Sequence, residues 1–109
     1  MTRNLEASGQ LFGSYFHQDW VDEFVTDDAA VQAMLESEPK EALAAARNEI
    51  RGLLASDLSD AELKMVMTDE VGCYFEPKSN GQTYREWLSE VLGRIEGVVG
   101  LAAESKPGR

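Results

Sequence analysis

Gly13-Ser14-Tyr15-Phe16-His17-Gln18-Asp19-Trp20, running on into Val21-Asp22-Glu23-Phe24, is the stretch around which the chain is organised. Three of the nine aromatic rings, the single histidine and a carboxylate fall between Tyr15 and Trp20. With Leu11 and Phe12 just upstream, Tyr15 and Phe16 follow the spacing i, i+1, i+4, i+5. On a helix those four side chains form one apolar stripe. Trp20 and Phe24 carry the apolar character onward, interrupted by Asp19, Asp22 and Glu23. The stretch therefore reads as a core-forming helix whose end is fixed by polar contacts. The sharper alternative is a catalytic cluster of Tyr15, His17 and Asp19. It lacks a nucleophile partner, and core helices are the commoner use of such a pattern.

Working outward, the first helix is expected from about Leu5 to His17 or Gln18. Gly9 and Gly13 fall inside it, at a cost of about 1 kcal/mol each relative to alanine. They share one face and either admit close approach of another helix or mark a frayed start. Asp19 to Val25 reads as a bend or a short turn of helix. His17, with Gly13 and Trp20 as its helical neighbours, is expected to pack its ring on aromatics while a nitrogen finds Asp19 or a backbone oxygen.

Thr26 looks like an N-cap, with Asp27 and Asp28 in the first turn, where the helix dipole favours negative charge. Ala30, Val31, Met34 and Leu35 repeat the helical stripe, and this second helix ends near Glu38. Pro39 suits the first position of a third helix. Leu43, Ala46, Ile50, Leu53 and Leu54 form its buried side, with Arg47 and Arg51 expected on a solvated face. Ser59-Asp60-Ala61-Glu62 is a capping box that opens a fourth helix carrying Leu63, Val66 and Met67, with Gly72 as its stop. Met65 and Met67 lack a cysteine or histidine beside them and read as core filler rather than a soft-metal site.

Cys73 to Glu76 reads as a short extended segment, and Pro77 to Gln82 as a loop in which Asn80-Gly81 signals a turn. Thr83-Tyr84-Arg85-Glu86 is a second capping box. It opens the most regular helix, where Tyr84, Trp87, Leu88, Val91, Leu92 and Ile95 keep helical spacing without a miss. Gly93, Gly97 and Gly100 weaken its far end. The expected architecture is all-α, a compact bundle of about five helices in one domain over residues 1–100, with 101–109 a disordered tail.

The 109 residues carry twenty acids and ten bases, a net charge of −10. Residues 1–38 hold eight of the acids and only Arg3 among the bases, −7, leaving −3 for the other 71 residues. This imbalance argues against nucleic acid as a direct partner, because phosphate binding needs a basic face. It either keeps the protein soluble or steers a basic partner into contact. There is no apolar run long enough to span a membrane and no secretory leader, so a cytoplasmic protein is expected. A lone Cys73 makes no internal disulfide and reads as a buried apolar group. Paired-histidine zinc motifs, Cys-x-x-Cys, phosphate-cradling glycine loops and calcium loops are all missing. No catalytic residue, metal or cofactor is therefore expected.

Leu11-Phe12-Gly13-Ser14-Tyr15-Phe16-His17-Gln18-Asp19-Trp20 resembles the opening signature of one group of contact-dependent growth inhibition immunity proteins (CdiI). Three later blocks agree in order and spacing: Leu53 to Ser59, Val71 to Phe75 and Gly81 to Leu88. The resemblance spans Leu11 to Leu92, about three quarters of the chain. It implies a small cytoplasmic antidote that binds the C-terminal toxin domain of a large surface or secreted effector, often a nuclease. An acidic surface suits a basic, nucleic-acid-cleaving toxin.

Members of one such family face differing toxins, so a shared signature belongs to the scaffold. Tyr15, Phe16, His17, Asp19, Trp20, Tyr74, Tyr84 and Trp87 are thus expected to form the framework. Toxin contact is expected at exposed acids outside it: Asp22, Glu23, Asp27, Asp28, Glu36 and Glu38. Reversing the charge of Asp27, Asp28 and Glu36 together should then weaken binding. Two other function classes fit the sequence: a helical adaptor docking a larger assembly, and an enzyme using His17 and Asp19.

Overall fold

The computed structural model describes residues 4–100, so the expected tail at 101–109 lies outside the described residues. Six α-helices follow one another: α1 (Glu6–Tyr15), α2 (Trp20–Glu23), α3 (Asp27–Ser37), α4 (Lys40–Ala55), α5 (Asp60–Met65) and α6 (Tyr84–Val99). A π-helical turn, Val66–Val71, continues α5, and a 3-10 turn, Pro77–Asn80, precedes α6. There is no strand among the described residues. The fold is all-α, with five principal helices and α2 as the short turn expected between the first two.

The caps follow the sequence closely. The Thr26 hydroxyl accepts the Ala29 N–H at 3.1 Å and starts α3. At α5, Ser59 Oγ accepts the Glu62 N–H while Glu62 Oε1 accepts the Ser59 N–H, and Thr83 and Glu86 repeat that exchange at α6. Each reciprocal pair satisfies two donors that the first turn would leave free. Pro39 stands one position earlier than expected, as the residue flanking α4. Gly93 and Gly97 do not break α6, which ends at Gly100 with φ +90°.

The first helix is shorter than its stripe suggested. Phe16 leaves helical geometry (φ −121°, ψ 38°), and His17 Nδ1 accepts the N–H of Asp19 at 3.1 Å. A side chain bonded two residues ahead stabilises a turn in competition with the helical ladder. The π-helical turn has a comparable cause. Thr68 Oγ1 donates to the Lys64 carbonyl at 2.9 Å, the acceptor an α-helical Thr68 N–H would use. The turn ends where Gly72, at φ +81°, adopts the left-handed conformation that glycine allows without Cβ strain. Gly9 and Gly13 both face the Val71 carbonyl oxygen; a Cβ would stand 3.8 and 3.6 Å from it. They are the close-approach face, and what approaches is the end of the π-helical turn.

Helix α4 is the central element, packed against both α1 and α6, while α5 and α3 also lean on α6. Its Leu43, Ala46, Ile50 and Leu53 are buried, and Leu63, Met67, Leu88, Val91 and Ile95 meet them in the core. An aromatic cluster closes one end. Trp87 lies 5.8 Å from Phe12, 5.3 Å from Phe16 and 4.9 Å from Phe75, and Trp20 lies 5.4 Å from Phe16 and 5.6 Å from Phe75. The Phe12, Phe16, Phe75 and Trp87 rings are buried, and each such ring contributes about 1.5–3 kcal/mol by its removal from water. The extended residues around Tyr74 are tied to α1 by the Tyr74 N–H, which donates to the Phe16 carbonyl at 2.7 Å.

Candidate functional site

Apart from Glu6 of α1, the acids of residues 1–38 lie on α2, α3 and their flanks, and most of them have partners. Asp27 Oδ2 accepts the indole N–H of Trp87 and Oδ1 accepts from Asn80 Nδ2, both at 3.1 Å. Asp28 Oδ1 pairs with Arg94 Nη1 at 2.6 Å, and Arg94 Nη2 also donates to Gln32 Oε1 at 2.8 Å. Glu36 Oε2 accepts from Gln32 Nε2 at 2.9 Å. Glu38 Oε2 accepts the Tyr15 hydroxyl at 2.9 Å and joins the end of α3 to the end of α1. Burial first, then that carboxylate, push the Tyr15 phenol above its usual range. Glu23 Oε1 lies 3.3 Å from His17 Nε2. Asp22 is exposed, and its carboxylate has no partner among the described residues.

These placements revise several expectations. Asp27 does not stand outside the framework: a buried indole N–H needs an acceptor, and Asp27 supplies it. Glu38 likewise joins two helices, so only Asp22, Glu23, Asp28 and Glu36 are exposed among the six acids, the other two being partly buried. A variant with Asp27, Asp28 and Glu36 all reversed would injure the scaffold as well as the surface. His17 is partly exposed rather than buried. Its carboxylate partner is Glu23, and only the backbone of Asp19 touches its ring. Both ring nitrogens are thereby occupied, and the Asp19 side chain is exposed. The Tyr15–His17–Asp19 cluster is not assembled.

Tyr74 serves the framework through its backbone alone, because its ring is 59% exposed. Met67 is core, but Met65 is 61% exposed. Arg47 is buried, not solvated: its Nη1 donates to the Gly100 carbonyl at 2.9 Å, closing the C-terminus of α6. The spacing already held this signal, since Leu43, Arg47, Ile50 and Leu54 keep the helical period and share one side of α4. Arg51 is exposed, as expected, with Nε 3.6 Å from Glu96. Two further residues escaped the sequence reading. Glu49 of α4 caps α1, and Arg85 of α6 donates to the carbonyls of Leu54 and Leu58 at 2.6 and 2.8 Å.

Cys73 is fully buried, as expected, and burial pushes its thiol up to about 12. Tyr84, whose hydroxyl donates to the Phe75 carbonyl, is raised too, by burial first and then by the nearby Cys73. Both groups hold their protons more tightly folded than unfolded, against ordinary values of 9.0 and 10.0. Their contribution is therefore complete below about pH 9 and declines as the pH rises from there toward 12. Urea titrations across that range should show stability falling above about pH 9. Native Cys73 should resist a disulfide thiol reagent at about pH 8, because the thiolate is the reactive form. Rapid modification without unfolding would contradict this environment.

Among the described residues no three or more His, Cys, Asp or Glu side chains gather as a metal cluster, and no helix is long and apolar enough to cross a membrane. A groove of about 520 Å³ runs between Leu5 and the Ala45–Ser56 side of α4. None of the expected site residues lines it.

The described residues form a small all-α scaffold with an acidic, aromatic-backed surface on α2, α3 and their flanks. The chain belongs to the CdiI immunity protein family, which it matches over residues 4–95. It is similar to a chain in the crystal structure of a CdiA-CT/CdiI complex from Y. kristensenii 33638, with a TM-score of 0.77 and 25% identity over 84% of this chain and 97% of that one. No curated protein matches it.

Proposed function

We propose that this chain neutralises the C-terminal toxin domain of a contact-dependent growth inhibition effector by binding it in the cytoplasm of the producing cell. The observation that carries this reading is the family membership, joined to the likeness with a chain solved in a CdiA-CT/CdiI complex. Neutralisation is by occupancy, not turnover. The −7 charge of residues 1–38 supports a basic partner, and a nuclease is the toxin class that most needs a basic cleft. The exposed acids Asp22, Glu23, Asp28 and Glu36 provide the attraction, while Asp27 and Glu38 are committed to the scaffold. Outer charges of this kind mainly raise the association rate, while a few desolvated anchors set the lifetime of the complex.

The test is co-expression with the C-terminal domain of the large protein encoded immediately upstream, followed by isolation of a complex. Growth should depend on this chain, and a tight one-to-one complex should be recovered. Asp22→Lys, Glu23→Lys and Glu36→Lys combined should weaken that complex by at least about tenfold at low salt, chiefly through slower association. These positions leave the Asp27–Trp87 bond intact, so thermal unfolding should change little. Persistent toxicity with no complex would favour the adaptor reading. Unchanged affinity in the triple variant would leave immunity standing and remove the acids from the interface.

A further inference from the structure

Four large apolar side chains stand exposed among the described residues: Val21 (65%), Val25 (94%), Met65 (61%) and Tyr74 (59%). Scattered singly, such residues need no explanation. Three of these belong to segments that touch. The Tyr74 backbone is bonded to Phe16, the ring of the adjoining Phe75 lies 5.6 Å from Trp20, and Trp20 leads directly into Val21. Packing does not account for the Tyr74 ring. Cys73, Phe75 and Pro77 turn inward along this extended stretch, leaving Tyr74 on the outer side, where its hydroxyl and ring have no partner among the described residues.

We propose that Tyr74, together with the exposed Val21 and Val25 of the segment that Phe75 packs against through Trp20, is the apolar anchor of the surface that docks the toxin domain, with Asp19, Asp22 and Glu23 as its charged rim. The proposal rests on the immunity reading above and commits to a basic protein domain as the occupant. Charge complementarity supports that choice, since residues 16–28 carry five acids and no lysine or arginine. A tyrosine is suited to the centre of such a contact. It presents a large rigid ring at low entropic cost, with a hydroxyl that finds a partner when desolvated. Met65 is the weaker candidate, because it stands alone and Lys64 adjoins it.

Binding kinetics of the full chain with a catalytically inactivated form of the same upstream C-terminal domain test the assignment. Tyr74→Ala should weaken affinity by at least about tenfold through faster dissociation, with association rate and salt dependence nearly unchanged. Val21→Ser should act in the same direction. Unfolding temperature should hold, because the Tyr74 bond to Phe16 is made by the backbone. Met65→Ser should bind like the parent. If Tyr74→Ala and Val21→Ser both bind within about twofold of the parent, the anchor lies elsewhere although immunity stands. A loss confined to Met65→Ser would move docking to the C-terminal end of α5 and overturn the assignment. No binding by the parent chain would sink the immunity reading itself, and this proposal with it.

Discussion

Trp87→Ala is expected to cost about 3–5 kcal/mol of folding free energy, a large share of the roughly 5–15 kcal/mol that holds a domain of this kind together. Trp87 is 2% exposed, and its ring meets Phe12, Phe16, Phe75 and Tyr84, which come from three different parts of the chain. Truncation leaves a cavity among rigid rings that collapse poorly, and it strips Asp27 of the indole donor. Trp87→Phe isolates part of the effect. It keeps most of the apolar contact, removes the N–H, and should cost about 1–2 kcal/mol. A double-mutant cycle with Asp27→Ala measures the bond between α6 and α3 directly. Urea unfolding followed by far-UV circular dichroism should give a coupling energy of about 1 kcal/mol or more. A coupling near zero would mean that apolar packing and the Arg94 bonds to Asp28 and Gln32 join the two helices without help from this bond.

The helices were legible because their signals are local. Both capping boxes, the Thr26 cap and the uninterrupted Tyr84–Ile95 stripe depend on neighbours within one or two turns, and each appears as read. Departures came where a side chain reached across the fold or displaced a ladder bond. His17 ended α1 early by taking the Asp19 N–H, and Thr68 widened the helix after Met65. Arg47 was misplaced for a different reason. Its charge outweighed its spacing in the reading, although a buried guanidinium is tolerable when a helix C-terminus accepts its hydrogen bonds.

For the proposed binding surface, the sequence offered charge but not the placement of each carboxylate. Charge asymmetry pointed to the first 38 residues, and all of their acids except Glu6 of α1 lie on α2, α3 and their flanks. Charge counting does not distinguish a carboxylate that faces solvent from one committed inside the scaffold. Asp27 and Asp28 are adjacent in sequence, yet one holds the buried Trp87 indole and the other meets an arginine at the surface. Tyr74 shows the converse. It lies within a block that resembles a family signature, and its backbone does serve the framework, but its ring faces outward. Alternation along 73–77, with Cys73, Phe75 and Pro77 inside, is the pattern that places it there.

Glu49→Ala should cost about 2–3 kcal/mol, the largest loss expected from any single carboxylate of the chain. Helix α1 starts at Glu6 after Leu5, which has no side-chain oxygen with which to cap it. The missing cap comes from α4: Glu49 Oε2 accepts the Ala7 N–H at 3.1 Å, and Oε1 accepts both the Ser8 N–H at 2.8 Å and the Ser8 hydroxyl at 2.7 Å. One carboxylate thus satisfies two first-turn amides and a fully buried serine. Its negative charge also lies at the positive end of the α1 dipole. Removing it leaves three donors without that acceptor, and a buried donor left unmade costs about 1–3 kcal/mol. Glu49→Gln discriminates between charge and geometry. Its amide oxygen retains the two Ser8 bonds but its NH2 group cannot accept from Ala7, so a loss of about 1 kcal/mol is expected. Hydrogen exchange should show the α1 amides losing protection in Glu49→Ala before those of α4 and α6, because the cap holds α1 onto the central helix. Uniform loss of protection across all three helices would instead mean that α1 unfolds only with the whole core.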